Sequence, residues 1–244
     1  MEIAKNFLKK VKINMSELST LLLEWFDLNK RILPFRKNNK PYDVWVSEIM
    51  LQQTKVDTVI PYYNAWMKKF PTIKSVSEAS EESILKSWEG LGYYSRSRNF
   101  HEAAKIIIKN FNSKIPDSWV DFRRLPGVGD YTAGAVLSIA FNKSYVAVDG
   151  NVKRVMARLT SRKKLSQHNL RFIKSKLLKL MDKNRPGDFN QAMMELGACV
   201  CLPRNPKCEK CPINKICNAY ISGKPTEYPA KVVKKMIPSH IFVG

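Results

Sequence analysis

The sequence is short of acid. It carries 21 Asp and Glu against 42 Lys and Arg, a formal net charge of +21 at pH 7 over 244 residues. Such an excess is the footprint of a polyanion binder, most simply nucleic acid; the competing reading is a lysine-rich, solvated surface. Histidine is also scarce. His101, His168 and His240 fall in no recognisable motif, and neither a G-x-S-x-G elbow nor a Walker loop occurs. Triad hydrolases and nucleotide-driven motors are therefore poor readings. No apolar run reaches the length of a membrane span. The opening Met1-Glu2-Ile3-Ala4-Lys5-Asn6 contains an acid and lacks a secretory apolar core. The expectation is a cytoplasmic protein with no membrane partner, whose cysteines are reduced or bound to metal.

Strand pattern is nearly missing as well. Only Tyr145 to Val148 looks extended, and it is too short to found a sheet. Apolar residues recur at helical spacing over Ser16–Leu28, Tyr42–Gln53, Lys55–Phe70, Glu81–Trp88 and Tyr93–Asn110. The same spacing continues over Ser118–Arg124, Tyr131–Phe141, Asn151–Leu159 and Phe189–Cys199. Breaks are expected at Gly90/Gly92, Pro116, Pro126-Gly127, Gly150 and Pro186-Gly187. Between Arg162 and Arg185 stand nine basic residues and one acid, Asp182, with Leu170, Ile173, Leu177, Leu178 and Met181 at helical spacing. That stretch reads as an amphipathic helix with a basic face. After Cys217 the chain turns polar and then basic, as a linker or tail does. The expected fold class is all-α.

Five cysteines are present, and four of them, Cys201, Cys208, Cys211 and Cys217, follow the pattern C-x6-C-x2-C-x5-C. Structural zinc sites usually pair two short knuckles, and this pattern has only one C-x-x-C. Longer arms around one C-x-x-C suit an iron–sulfur cluster, in which each thiolate takes a different iron. The spacing differs from the bacterial ferredoxin run. The loop Leu202-Pro203-Arg204-Asn205-Pro206-Lys207 is basic and turn-forming, which suits docking on phosphate. The plain alternative is four reduced thiols. Cys199 reads as a small buried side chain rather than a ligand.

Three further features bear chemistry. Leu125-Pro126-Gly127-Val128-Gly129 joins two predicted helices, and its amides, with the next helix N-terminus, could form a phosphate nest. The alternative is a turn with Val128 plugging the core. Glu48 sits on an apolar helix face beside Val44, Trp45 and Leu51, with no basic residue three or four positions away. A carboxyl there should hold its proton near neutrality, as a general acid must; a distant Arg that satisfies it is the competing reading. Asp149 precedes a predicted helix and suits an N-cap. It also suits a second, ionised carboxylate of the kind that helps break glycosidic bonds.

Together these segments resemble the helix-hairpin-helix DNA glycosylases that carry a 4Fe–4S cluster, within them the adenine-excising, MutY-type branch. The resemblance runs from about Leu33 to Cys217. It is carried by Ile32-Leu33-Pro34-Phe35-Arg36, by Pro41 through Thr54, by Glu89-Gly90-Leu91-Gly92-Tyr93-Tyr94, and by the glycine hairpin. Val148 through Arg154 and Phe189 through Met194 complete it. It implies two helical lobes with the active site in the cleft between them. A six-helix barrel lobe with the hairpin would span 34–142. A cluster lobe would be built from 1–33 plus 143–220, with a basic tail at 221–244. It implies double-stranded DNA with A·8-oxoguanine or A·G mismatches as partner, a monomer, and a nucleoid-associated location. The base would be flipped into a pocket. Glu48 would protonate it, Asp149 would stabilise the oxocarbenium-like sugar, and Tyr131 and Asn151 would assist. Relatives that cut the strand have a lysine where Tyr131 stands, so a tyrosine implies base release alone. Phe35, Arg36, Leu51 and Gln191 would line the base pocket. Gln53 and Tyr93 would wedge the DNA stack. Gly127, Val128, Gly129, Lys153, Arg154, Arg204 and Lys207 would meet DNA, and the four cysteines would hold the cluster.

Two departures stand out. The family usually has tryptophan where Phe35 precedes Arg36. It also continues into a Nudix-like domain that recognises 8-oxoguanine, and the sequence ends at Gly244, where that domain would begin. Adenine excision is expected, with the choice between 8-oxoguanine and guanine as partner left open. The rivals are a thymine glycosylase acting at G·T mismatches, a non-catalytic DNA-binding relic, and a zinc-bound binding module.

Overall fold

The computed structural model describes residues 15–230. Residues 1–14 and 231–244, including the start of the expected cluster lobe and most of the expected basic tail, lie outside the described residues. The chain is helical, and no strand occurs among the described residues. The first helices in chain order are α1 (Met15–Asn29), α2 (Pro41–Leu51), α3 (Val56–Lys69), α4 (Ile73–Glu78), α5 (Glu81–Trp88) and α6 (Ser95–Asn110). Then follow α7 (Trp119–Arg123), α8 (Asp130–Phe141), α9 (Gly150–Leu159), α10 (Gln167–Leu180), α11 (Pro186–Cys199) and the short α12 (Asn218–Ile221). No helix among the described residues is long and apolar enough to cross a membrane.

Local chemistry sets the boundaries. Pro41 opens α2 and Pro186 opens α11, at positions where a missing N–H costs nothing. Pro186-Gly187 is thus a helix start, not the break expected, and α11 begins three residues before Phe189. The helix expected to reach Gln53 stops at Leu51, and that expected from Tyr93 starts at Ser95. Gln53 and Tyr93 have φ of 58° and 48°, left-handed conformations that a helix cannot continue through. The short α4 was not legible in the periodicity. It is made by a capping box in which Thr72 Oγ1 accepts the Ser75 amide and Ser75 Oγ accepts the Thr72 amide.

Two apolar cores result. One joins α2 to α8 around Trp45, Trp66, Trp88, Phe100 and Phe122, all nearly fully buried. Trp45 stands edge-on to Phe100 and Phe122, with centroids 4.8 and 4.9 Å away. Replacing it with Ala should cost about 3–5 kcal/mol. The other core joins α1 to α9, α10 and α11 through Leu22, Phe26, Met156, Ile173, Leu177 and Phe189.

The extended segment 145–148 bridges the two cores without a partner strand. Asn190 stands in for one: its Oδ1 accepts the Ala147 amide, and its Nδ2 donates to the Tyr145 carbonyl and to Ser138 Oγ. The segment lies so close to α8 that a Cβ on Gly134 would fall 2.3 Å from the Val146 carbonyl oxygen. Residues 221–230 are not a free linker. The Tyr228 carbonyl accepts from Arg158 Nε at 3.0 Å, and the Ala230 amide donates to the Lys163 carbonyl at 2.8 Å. Polar composition suggested a tail, but backbone hydrogen bonds seat it.

Candidate active site

A cavity of about 170 Å³ lies where the two cores meet, and it is lined by Glu48, Tyr131, Asp149, Asn151, Phe35, Arg36, Leu51 and Gln191. These are the eight residues given catalytic or base-holding parts on sequence grounds, drawn from α2, α8, α9, α11 and the 3-10 turn Pro34–Arg36. Glu48 projects from the middle of α2 and is 7% exposed. Burial pushes its carboxyl up to about 7. The Tyr131 hydroxyl donates to its Oε2 at 2.7 Å and works against that rise, as does Arg36; the nearby charge of Asp149 adds to it. Burial and the Glu48 charge hold the Tyr131 phenol well above its ordinary range, so it stays a donor. Asp149 is an N-cap, as one of its sequence readings has it, and it also reaches the cavity wall. Its Oδ1 accepts the Val152 amide at 2.6 Å as an N-cap, and its Oδ2 accepts Asn151 Nδ2 at 2.9 Å while it lines the cavity.

Sequence reasoning missed a charged group in the cavity wall, built on Glu195. Glu195 on α11 is 1% exposed and grips two arginines. Arg31 donates through Nε at 2.7 Å and Nη2 at 3.0 Å, and Arg36 through Nη2 at 2.9 Å. Burial alone would raise this carboxyl, but the arginine hydrogen bonds and charges outweigh it and hold it at about 2. The cavity therefore contains one acid that holds its proton up to about pH 7 and one kept ionised. A carboxylate inside the apolar run of α11 was the available signal, the same signal that singled out Glu48. Phe35, edge-on to Tyr63 at 5.6 Å, supplies an aromatic wall.

Gln53, Tyr93 and Gly127 border a second opening beside the first. Tyr93 is exposed, a large ring pointing at solvent from a left-handed residue. In the hairpin, Gly127 has φ of 75° and a Cβ there would fall 2.9 Å from Asn99 Cβ. Gly129 faces open space. Its amide and that of Gly127 have no acceptor among the described residues. Val128 departs from its expected DNA-contacting part. Its side chain is buried, its amide donates to the Leu125 carbonyl at 3.2 Å, and its carbonyl accepts from Arg123 at 2.7 Å. The plug reading holds for Val128, because the hairpin turns its one apolar side chain inward. Lys153, Arg171 and Lys174 line a basic dent beside Asp130.

Arg154 also departs from its expected part. Its guanidinium is spent inside the protein, on Asn151 Oδ1 and the Gly197 and Cys201 carbonyls at 2.8–2.9 Å. It links the cavity to the cysteine loop instead of reaching outward. Arg204 and Lys207 on that loop are exposed, as docking requires.

Cys201, Cys208, Cys211 and Cys217 face one another closely enough for Cys211 and Cys217 to feel the charges of the others. Burial pushes the Cys211 thiol up to about 12, and backbone amides of Ile213, Ala219 and Tyr220 point at Cys211 and Cys217. The buried Arg158 donates to Cys201 Sγ at 3.3 Å. Partly buried sulfurs, three of them facing hydrogen-bond donors, fit thiolates whose charge a metal group offsets. No three His, Cys, Asp or Glu side chains among the described residues gather tightly enough for a single ion. A cluster spreads its thiolates over several irons and does not require that. Cys199 lies apart, half-buried, 3.8 Å from Glu195 Oε1.

Comparison with known proteins agrees with this geometry. The model of the HhH-GPD superfamily base excision DNA repair proteins matches residues 46–180, and that of the iron-sulfur binding domain of endonuclease III matches residues 201–217. The adenine DNA glycosylase of Buchnera aphidicola subsp. Baizongia pistaciae is 42% identical over 221 residues, covering 88% of this chain and 62% of its own. That of Homo sapiens is 44% identical over 212 residues, covering 81% of this chain and 38% of its own. The chain thus spans less than two thirds of the length of these relatives. A solved thermostable thymine-DNA glycosylase is 28% identical with a TM-score of 0.78, over 85% of this chain and 97% of that one. Endonuclease III trapped in a covalent intermediate with DNA superposes with a TM-score of 0.72 at 21% identity, over 86% of this chain and 99% of that one. With its helical fold, glycine hairpin and four-cysteine iron–sulfur site, the chain belongs to the HhH-GPD superfamily of base excision DNA repair proteins.

Proposed function

We propose that the chain removes adenine mispaired with 8-oxoguanine or guanine in double-stranded DNA, acting as a monomer and leaving an abasic site. The observation that carries this reading is the cavity in which Glu48, Tyr131, Asp149 and Asn151 meet. The adenine DNA glycosylases among its relatives support it. The flipped base enters between Phe35 and Leu51. Tyr131 donates to Glu48 Oε2, which leaves Oε1 to carry the acid proton to a ring nitrogen of the departing purine. Loss of the base builds positive charge on the sugar. The Asp149 carboxylate, oriented by the Val152 amide and Asn151, stabilises that charge until water adds at C1′ and loses a proton, which leaves the abasic site. Tyr131 offers no amine for a Schiff base, so the strand stays intact. The amides of Gly127 and Gly129 and the α8 N-terminus take a backbone phosphate. Arg204 and Lys207 take others, and Gln53 and Tyr93 fill the stack. The cluster, when bound, supplies a cross-link that braces the Cys201–Cys217 loop. Two helical lobes would enclose the cleft, and the protein would work at the nucleoid.

Single-turnover release of base from A·8-oxoguanine, A·G, A·T and G·T duplexes tests the reading. Adenine release from the first two supports it. Thymine release alone would place the chain with the thymine-DNA glycosylase it resembles in structure. Tight binding with no release would make it a DNA-holding relic.

A further inference from the structure

Arg96, in the first turn of α6, is a buried cation without an acid. It is 9% exposed, and no carboxylate is among its hydrogen-bond partners. Buried arginines usually pair with an anion, because an unpaired charge is costly to desolvate. Here oxygens of the α2 C-terminus and of two separate loops replace it. Nη1 donates to the Ile49, Met50 and Gln52 carbonyls at 2.9, 2.9 and 2.6 Å. Nη2 donates to the Leu91 and Gly92 carbonyls at 3.0 and 3.1 Å, and to Thr54 Oγ1 at 3.3 Å. The plane of the guanidinium lies near Trp88 and Tyr93, 5.3 and 5.5 Å from the ring centroids. Trp88 Nε1 ties the second loop down again through the Gly92 carbonyl at 3.1 Å.

These two loops carry Gln53 and Tyr93. Each residue has a positive φ that costs energy and must be held by its surroundings. The Ile49 and Met50 carbonyls end α2, the helix that positions Glu48, and a cation suits that helix end. One planar fork therefore references both exposed side chains to each other and to the acid.

Resting on the proposed adenine excision, we propose that Arg96 is a positioning residue that locks the Gln53 and Tyr93 loops into one rigid wedge, so that both enter the DNA stack together. Neither loop can then open the duplex at full efficiency alone. A lysine retains the charge but not the fork, and cannot serve both loops.

The test is fluorescence of 2-aminopurine placed at the adenine position, read at saturating protein. One substrate is a paired duplex and the other has the flanking pairs already unpaired. Arg96→Gln and Arg96→Lys are compared with the unaltered chain, with thermal melting alongside; the lysine variant decides if the glutamine variant does not fold. Base opening in the paired duplex should fall about 10- to 100-fold, as expected for losing charge-assisted hydrogen bonds. Opening and binding in the unpaired substrate should change little, and adenine release should follow the same split. Equal loss on both substrates, or no loss on either, overturns the proposal. If the unaltered chain opens the duplex but releases no adenine, the adenine reading falls and the Arg96 result still stands on its own readout.

Discussion

The Tyr131 hydroxyl donates to Glu48 Oε2 at 2.7 Å across 83 residues of sequence. That bond works against the burial that raises the carboxyl to about 7. The pair sets the pH range over which Glu48 can deliver a proton. Release of base should therefore decline as pH rises through about 7. In Tyr131→Phe the opposing hydrogen bond is gone, so the decline should move to higher pH. A pH profile of single-turnover release checks this, and Glu48→Gln should remove the acid-dependent limb and about 10²-fold or more of the rate.

Glu48 also couples stability to pH. Its folded value, about 7, lies above the ordinary 4.5, so the folded state binds the proton more tightly. The cost of ionising it is absent below pH 4.5, grows from there to about 7, and is complete above. The full difference is roughly 3 kcal/mol. Glu48→Gln should therefore raise the melting temperature at pH 8 more than at pH 5.

Glu195 has the opposite sign. Held at about 2, it contributes stability above pH 4.5 that is lost as pH falls toward 2. Glu195→Ala strands two arginines and should cost about 3 kcal/mol, a figure reduced from the usual buried-pair range because Arg31 is partly in solvent. Denaturation of the variant should show a flatter acid limb than the unaltered chain.

The two hairpin glycines should separate folding from binding. Gly127→Ala meets a left-handed φ and Asn99 Cβ, and should destabilise the protein by about 1–2 kcal/mol. Gly129→Ala meets open space and should melt normally. Its new methyl group should weaken DNA binding, read by fluorescence anisotropy, because the open space is where a phosphate would approach.

The four-cysteine site should make the purified protein brown, with a broad absorption band near ~400 nm. Cys211→Ala should abolish the band and lower the melting temperature. Cys199→Ala should leave the band intact, because Cys199 faces Glu195 rather than the cluster residues.

The helices, most of their ends and the cysteine site were legible because their signals are local. Period, caps and spacing act over a few residues. Glu48 stood out for the same reason, as a carboxyl among apolar neighbours on its own helix. Glu195 gave the same kind of signal, but its meaning depended on Arg31 and Arg36, more than 150 residues away. Arg154 and Val128 looked ready for DNA because composition does not show which way a side chain faces. The short α4 was hidden because six residues are too few to show a period.

By itself the sequence determined an all-helical chain, a basic surface and a four-cysteine metal site. Only the tertiary structure decided that Glu48 and Asp149 meet in one cavity, that Arg154 and Arg158 turn inward, and that Arg96 binds two loops. Helical pattern reports a residue's nearest turns, whereas those pairings arise from the packing of the two cores and the loops between helices, which no local spacing encodes.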